Sequence, residues 1–278
     1  MVIGGASAYP WEIEWKKFRE IIDEVAPGAM LMADISHVAG LVVAGLFPNP
    51  IEYADAVTMT THKTLLGPRS AIILTTDPNK ARRINTAVFP GEQGGPHINT
   101  IGAMAVCFKL AATEEFRAVQ RRIVENAKAL AEALKKRGLK LVYGGTNTHL
   151  LLVNLNKVET ESGVSLRGDF VSNILDLCGI TCNKNAIPGD ETGTRPGGIR
   201  LGTVIPSQLG MGPKEMEKIA ELIHRVLTNI RTFQVRAITG VRLARGKIDQ
   251  DVMNGVREEV AKLMSDHTGV KSGGTEGG

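Results

Sequence analysis

Residues 58–70, TMTTHKTLLGPRS, place a lysine between a histidine and a threonine, after a run of hydroxyl residues and before Gly-Pro-Arg. A lysine that serves only solubility needs no such setting. A lysine that forms an imine must be partly neutral, so it needs burial or cationic neighbours, and it must lie where a carbonyl compound is held. We therefore interpret Lys63 as a candidate imine-forming lysine. Without its neighbours, it would more often be an ordinary loop lysine.

Apolar runs on both sides of this segment predict a sheet. Short strands are predicted at residues 29–35, 54–60 and 70–76, and residues 11–25 carry apolar side chains at helical spacing. The strand runs show no clean alternation of polar and apolar residues. This pattern favours a parallel or mixed sheet that is covered on both faces.

The character of the chain changes after residue 112. A long amphipathic helix is predicted from residue 114, with Gly138 as its stop. The elements predicted after it are strands near 140–143 and 148–155, a helix at about 166–178, a strand at 198–202, and helices at roughly 213–230 and 246–264. This order is typical of a smaller α+β domain with helices on an antiparallel sheet.

Composition limits the function classes. The 278 residues are 43% hydrophobic and 22% charged, with a net charge of +4 and no block of Lys and Arg. Nucleic acid is therefore not indicated as a partner, whereas a small anionic ligand suits this charge. Three cysteines, without a recognisable signal peptide or an apolar run long enough for a membrane, indicate a soluble cytoplasmic protein.

An acid suited to a cofactor nitrogen closes the predicted strand before the lysine segment. Pyridoxal phosphate needs such an acid, because a protonated pyridine ring is the better electron sink. Asp34 ends its strand, and α/β sheets hold ligands at strand ends. His37 follows three residues later, and Ser7, after another short apolar start, could reach a phenolic oxygen. Asp34 could instead be a helix N-cap, and His37 a packed core histidine.

Several motifs carry a family resemblance. MADISHVAGLVVAG, TMTTHKTLLGPR, FPGEQGGP, NTHLLLVNL and GGIRLGT occur in this order. In these motifs and their spacing the chain resembles serine hydroxymethyltransferase, up to about residue 264. The resemblance implies an α/β protein of the type I, aspartate-aminotransferase-like fold of pyridoxal-phosphate enzymes. Residues 1–112 would form the C-terminal part of the large domain, residues 113–266 a small α+β domain, and residues 267–278 a disordered tail.

The resemblance implies a set of cofactor contacts around the lysine. Lys63 would bind the cofactor as an imine, and Asp34 would pair with its pyridinium nitrogen. His37 and Ser7 would lie beside its phenolic oxygen.

A further cofactor contact is implied across a subunit interface. Gly94 and Gly95 in GEQGGP would offer backbone amides to the phosphate of the cofactor in the neighbouring subunit. Taken alone, this glycine pair could be only a turn.

Four further residues are implied in substrate binding and catalysis. Thr60 and His62 flank the lysine and, with His37, are catalytic candidates, although His62 is equally compatible with simple packing. Arg200 in GGIRLGT would bind the amino-acid carboxylate through its two-pronged guanidinium. The alternative is that Arg200 is an ordinary salt-bridge partner. Asn185 in NKNAIP would lie near the pterin, although such a segment often marks a turn. The remaining histidines have no spacing suited to a metal, so no metal site is predicted.

The implied reaction is the reversible transfer of a hydroxymethyl group between serine and glycine. A tetrahydrofolate or related pterin would be the cosubstrate, and the protein would form a homodimer or homotetramer. Family chains are longer at the N-terminus, and that part contributes a glutamate, tyrosines, a stacked histidine and a phosphate-binding loop. We therefore expect a fragment or split-gene product that needs a separate N-terminal half chain.

Two alternatives stay open. The chain could belong to an aldolase that acts on another β-hydroxy amino acid without a pterin, or it could be a non-catalytic subunit that pairs with a full-length homologue. Many family members have G-T-P-A after the substrate arginine, whereas this chain has GTVIPSQLGMG at residues 202–212. This difference leaves both the pterin and the amino acid open.

Overall fold

The computed structural model describes residues 1–238, 240 and 242–268. Two compact units divide the chain, residues 1–121 and the remainder from Arg122 onwards. The division falls within one long helix, α5 (Glu114–Lys136). The boundary predicted near residue 112 lies just before this helix.

The first unit is built on a four-stranded mixed sheet in the order β1-β2-β3-β4. Its strands are β1 (Val2–Gly4), β2 (Leu31–Asp34), β3 (Ala56–Thr60) and β4 (Ala71–Leu74). The first three strands are parallel, and β4 is antiparallel to β3. The predicted mixed sheet is confirmed. Because β1, β2 and β3 run in the same direction, their carboxyl ends share one edge.

The two faces of β2 and β3 differ in burial. Val57 and Met59 of β3 are buried, as is Ala33 of β2, which pairs with Val57. These residues pack in a core that includes Trp15. Asp34, Thr58 and Thr60 point to the opposite face and are half-buried. The predicted covering of both faces is therefore complete on one face only. The half-buried face carries the polar side chains of the candidate site.

The first unit also contains several helices. They are α1 (Trp15–Val25), α2 (Ala39–Val43), α3 (Pro78–Thr86) and α4 (Ile98–Ala111), with a π-helical segment at Ala87–Glu92. α1 confirms the helix predicted before the first motif. The start of α3 is fixed by Asp77, whose carboxylate accepts hydrogen bonds from the Asn79 and Lys80 amides.

The second unit contains a three-stranded antiparallel sheet in the order β5-β7-β6. Its strands are β5 (Leu150–Asn154), β6 (Asn183–Asn185) and β7 (Gly198–Gly202), and a separate antiparallel pair is formed by β8 (Arg231–Arg236) and β9 (Arg242–Lys247). The helices after α5 are α6 (Gly168–Leu177), α7 (Val204–Gln208), α8 (Pro213–Thr228) and α9 (Gln250–Thr268). Helices on an antiparallel sheet were predicted for this part of the chain.

Two predictions about the second unit are wrong. Residues 140–143 do not form a strand: Leu141 makes one isolated bridge to Val153, and Val142–Gly144 is a 3-10 turn in which Tyr143 has a φ of 59°. The last helix begins at Gln250 rather than at residue 246, because β9 continues to Lys247. The disordered tail predicted for residues 267–278 stays a prediction, because residues 269–278 lie outside the described residues, and α9 ends at Thr268.

None of the helices in the described part of the chain is both long and apolar enough to span a membrane.

Candidate functional site

The candidate residues of the first unit meet at the carboxyl edge of β1, β2 and β3. Asp34 is the last residue of β2, and Thr60 is the last residue of β3. His37 and Lys63 follow these strands by three residues each, and Ser7 lies in the exposed turn after β1. This edge is where parallel α/β sheets bind ligands. The sequence-predicted residues are therefore brought to one place by strand direction.

The Asp34 carboxylate is held by two donors. The Thr58 hydroxyl donates to its Oδ2 at 3.0 Å, and the Ser36 amide donates to its Oδ1 at 2.9 Å. Asp34 pairs with Thr58 in the register of β2 and β3, so the two side chains stand on the same face. Gly5 has a φ of 145°, and a Cβ there would lie 2.4 Å from the Asp34 backbone oxygen. The carboxylate is thus fixed in orientation, and a glycine is required beside it.

A chain of hydrogen bonds connects Asp34 to Lys63. Ser36 makes two contacts in this chain. Its amide donates to the Asp34 carboxylate, and its Oγ accepts from the Thr60 amide at 3.1 Å. The Lys63 ammonium in turn donates to the Thr60 Oγ1 at 3.0 Å. Lys63 is half-buried. The amine is therefore held at a defined position on the edge that carries the carboxylate.

The loop around Lys63 is closed by its own backbone. The Thr61 amide donates to the Ser70 carbonyl at 3.0 Å, and the Gly67 amide donates to the Thr61 carbonyl at 2.8 Å. Leu66 has a φ of 63°, a left-handed conformation that costs a non-glycine residue about 1–2 kcal/mol. Such strain persists where the surroundings determine the backbone, and it often marks a functional loop.

Thr64 ties this loop to the segment that carries His37. Its buried hydroxyl donates to the His37 carbonyl at 2.9 Å and accepts from the Gly40 amide at 3.0 Å. Its own carbonyl accepts from the Gln120 side-chain amide at 2.8 Å. A Cβ at Gly40 would lie 2.1 Å from the Thr64 carbonyl oxygen. The loop that carries Lys63 is therefore fixed against the segment that carries His37.

His62 carries a buried polar atom without a hydrogen-bond partner in the described part of the chain. Its Nδ1 has no hydrogen-bond partner among the described residues, although the side chain is only half-buried overall. A buried nitrogen of this kind is normally satisfied. The choice between packing and catalysis for His62 stays open, but the orphaned nitrogen favours a contact with a bound molecule.

Sequence reasoning missed three residues that support the site, namely Ser36, Thr58 and Thr64. Thr58 lies two positions before Thr60 and therefore on the same face of β3, which the period of a strand could have indicated. The pairing of Thr58 with Asp34 could not be predicted, because it depends on the register between two strands.

Gly94 and Gly95, which were predicted to bind the cofactor, stand apart from this network. Within the described ranges, no hydrogen bond joins either glycine to the residues around Lys63. Both follow the π-helical segment and are exposed, and a Cβ at either position would have no heavy atom within 4 Å. The amides of Gly94 and Gly95 are therefore accessible to a ligand from outside the unit. Their role toward the phosphate in a neighbouring subunit stays a prediction.

The two substrate-binding candidates belong to the second unit. Arg200 lies in the middle of β7, opposite Leu152 of β5 and Asn183 of β6. It is half-buried, and burial lowers the pKa of its guanidinium. Asn185 ends β6, and its side-chain amide donates to the Ala186 carbonyl at 2.6 Å. Their action at the same site as Lys63 stays a prediction.

The residues of the first unit fit pyridoxal phosphate. A half-buried amine, an oriented carboxylate and an orphaned imidazole nitrogen lie on one strand edge, and these are the groups that would hold the aldehyde, the ring nitrogen and another polar atom of the cofactor. The mixed sheet is consistent with the type I fold of pyridoxal-phosphate enzymes.

Residues 1–223 match the family model of serine hydroxymethyltransferase. Since this match covers most of the 278 residues, the chain belongs to the serine hydroxymethyltransferase family. The resemblance stated from the motifs is confirmed. The family is one of pyridoxal-phosphate-dependent transferases of one-carbon metabolism, and its members act on serine and glycine.

Proposed function

We propose that this chain carries the lysine-bearing part of a site that transfers a hydroxymethyl group reversibly between serine and glycine, with a tetrahydrofolate-type pterin as the cosubstrate. The observation that carries the proposal is the hydrogen-bonded chain from the Asp34 carboxylate through Ser36 and Thr60 to the Lys63 amine. The family match supports the same chemistry.

Each residue of this chain has a distinct task in the proposal. Pyridoxal phosphate, when bound, supplies a ring that takes up electron density as the Cα–Cβ bond of serine breaks. Asp34, oriented by Thr58 and Ser36, would hold the proton on the ring nitrogen. Lys63 would hold the cofactor through its aldehyde, with its amine positioned by the Thr60 hydroxyl. His37, at the same strand edge, would orient the cofactor.

Arg200 supports the substrate end of the proposal. A half-buried guanidinium binds a carboxylate more strongly than an exposed one, because less water competes for its donors. A carboxylate held by two parallel hydrogen bonds fixes the direction of the bond to be broken. Asn185, on the neighbouring strand β6, is proposed to contact the pterin.

Assembly with a second chain is part of the proposal. The helix α4 is apolar along much of its length, yet Ile98, Val106 and Leu110 are 69%, 60% and 59% exposed. Apolar helices with such exposure are normally covered. We infer that α4 is covered in the working protein, by another copy in a homodimer or homotetramer or by a separate N-terminal half chain. In such an assembly Gly94 and Gly95, which lie just before α4, would offer their amides to the cofactor phosphate of the neighbouring subunit.

An absorbance titration tests the proposal. The purified chain is mixed with pyridoxal phosphate, alone and with a separately produced N-terminal part of a family member, and a Lys63-dependent band near the visible edge is recorded. We expect the band in wild type and its loss in Lys63→Ala and in Lys63→Arg, which keeps the charge but forms no imine. Lys17→Ala, which removes an exposed lysine of α1, is the matched control.

The outcomes separate the alternatives. A band that is equal in wild type and Lys63→Ala would sink the assignment of the lysine. A Lys63-dependent band with serine cleavage that requires a pterin would support the transferase. Cleavage of another β-hydroxy amino acid without a pterin would favour the aldolase, and association without any cofactor band would favour a non-catalytic subunit.

A further inference from the structure

The second unit contains a basic pocket that the proposed function does not use. It has a volume of about 300 Å³ and lies between the segment before α6, the loop before β7 and the strand pair β8–β9. Its lining carries the arginines Arg167, Arg195, Arg242 and Arg245, together with Ser165, Asp169 and Gln234. Arginines that are distant in sequence thus converge on one cavity of small-ligand size.

The strand pair explains how Arg242 comes to face this pocket. Because side chains alternate along a strand, Arg242, Ala244 and Gly246 share one face of β9. Gln234 lies on the same face, since it pairs with Ala244 in the register of β8 and β9. Ala244 packs against the core of the unit, and a Cβ at Gly246 would lie 2.7 Å from the Phe170 ring of α6. This face is therefore anchored on α6, and Arg242 continues it into the pocket.

The pocket holds an excess of positive charge. Arg167 lies 3.9 Å from the Asp190 carboxylate, and Asp169 is the one carboxylate in the lining. Arg245 leaves β9 on the face opposite Arg242 and donates to the Ala244 carbonyl at 3.0 Å, so the other three guanidiniums exceed these two carboxylates by one positive charge. Among the residues that the structure describes, neither Arg195 nor Arg242 has an ion-pair partner, so their donors are open to a ligand.

We propose that this pocket binds a small anion that carries phosphate groups. Guanidinium groups suit phosphate because their fixed forks match its oxygens, and the Ser165 hydroxyl and Gln234 amide add neutral donors. A volume of about 300 Å³ suits a small phosphorylated molecule. Its β8–β9 wall lies beyond the residues 1–223 that match the family model, so this site is a feature of this chain that the match does not assign.

Calorimetric titration of the full chain with inorganic pyrophosphate tests this site. We expect binding of one pyrophosphate per pocket that weakens as salt is added, and a loss of about tenfold in affinity for Arg195→Gln and for Arg242→Gln, since each removes a charged hydrogen bond. Arg231→Gln is the matched control. It removes the same charge from an exposed position of β8 that is outside the lining, and its affinity should stay within about twofold of wild type.

Three results would overturn the proposal. Equal weakening by Arg231→Gln would mean that a diffuse basic field, and not the pocket, attracts pyrophosphate. Binding that disappears in Lys63→Ala but survives in Arg195→Gln would place the pyrophosphate at the lysine site. Citrate that binds as tightly as pyrophosphate would overturn the assignment to phosphate. Because none of the pocket residues belongs to the transferase site, failure here leaves the proposed function untouched.

Discussion

Replacing Thr64 by valine should loosen the lysine loop from the segment that carries His37. Valine has nearly the shape of threonine, so the buried volume is preserved while one hydroxyl is lost. That hydroxyl is the partner of two backbone groups, the His37 carbonyl at 2.9 Å and the Gly40 amide at 3.0 Å. The Gly40 amide would become unsatisfied in a buried position, and the half-buried His37 carbonyl would lose this donor.

The magnitude follows from the two lost hydrogen bonds. A buried backbone group without a partner costs about 1–3 kcal/mol. The unsatisfied Gly40 amide, together with the hydrogen bond lost at the His37 carbonyl, should lower the free energy of unfolding of the first unit by about 2–4 kcal/mol, a roughly 30- to 900-fold larger opening constant. Domains have about 5–15 kcal/mol of stability, so the variant should still fold.

The assay must report on one unit at a time, because two compact units need not unfold together. Native-state hydrogen exchange of peptides that cover residues 31–45 and 56–70 reports on the first unit, and peptides from α8 report on the second. In Thr64→Val we expect faster exchange in the peptides that cover residues 31–45 and 56–70, and unchanged exchange in the peptides from α8.

Thr86→Val is the matched control for this prediction. The Thr86 hydroxyl donates to the Arg82 carbonyl at 3.1 Å in an exposed position of α3, so its loss should change stability by less than about 0.5 kcal/mol. If Thr64→Val costs no more than Thr86→Val, the reasoning about buried backbone partners is wrong.

Two further predictions concern titration. Burial opposes the ionisation of Asp55, but hydrogen bonds from Lys80 and from the Leu31 amide outweigh it and hold the pKa of Asp55 below its ordinary value of 3.8. The stability that the ionised Asp55 contributes is present above its unfolded pKa and is lost as the pH falls below about 4, through its folded pKa. In urea unfolding, Asp55→Asn should therefore be less stable than wild type at pH 7, and its stability should depend less on acid pH. A pH dependence equal to that of wild type would contradict this. Burial raises the pKa of Cys182 to about 12, and the pKa values of the other two cysteines are also raised, so at pH 8 the folded chain should react with iodoacetamide at least about 100-fold more slowly than the urea-unfolded chain. Rapid labelling of the folded chain would refute this.

Local patterns were enough to predict much of the fold. The long helix α5 follows from apolar residues at helical spacing and a glycine just beyond its end, and the structure has it at Glu114–Lys136. The strands that end at Asp34 and Thr60 follow from short apolar runs. In each case the signal lies within the segment itself, so no tertiary contact was needed.

The strand pair β8–β9 shows where local patterns fail. Arg231, Phe233 and Val235 alternate with a buried Thr232, but the alternation is short and rich in arginine, which is poor evidence for a strand. Gly246 is placed by its close approach to Phe170, a contact that no local pattern reveals. The helix predicted from residue 246 therefore started too early.

The density of hydroxyl residues around Lys63 has a structural explanation. The hydroxyl of Thr58 orients Asp34, that of Thr61 donates to the Pro68 carbonyl at 2.5 Å, and that of Thr64 joins the neighbouring segment. Only the Thr60 hydroxyl, among those of the described lysine loop, contacts the amine itself. Most of the small polar residues therefore shape the backbone rather than touch the reacting group. The composition of the segment could indicate an imine-forming lysine. Which contact each threonine makes, however, depends on the register of β2 with β3 and on the closure of the loop.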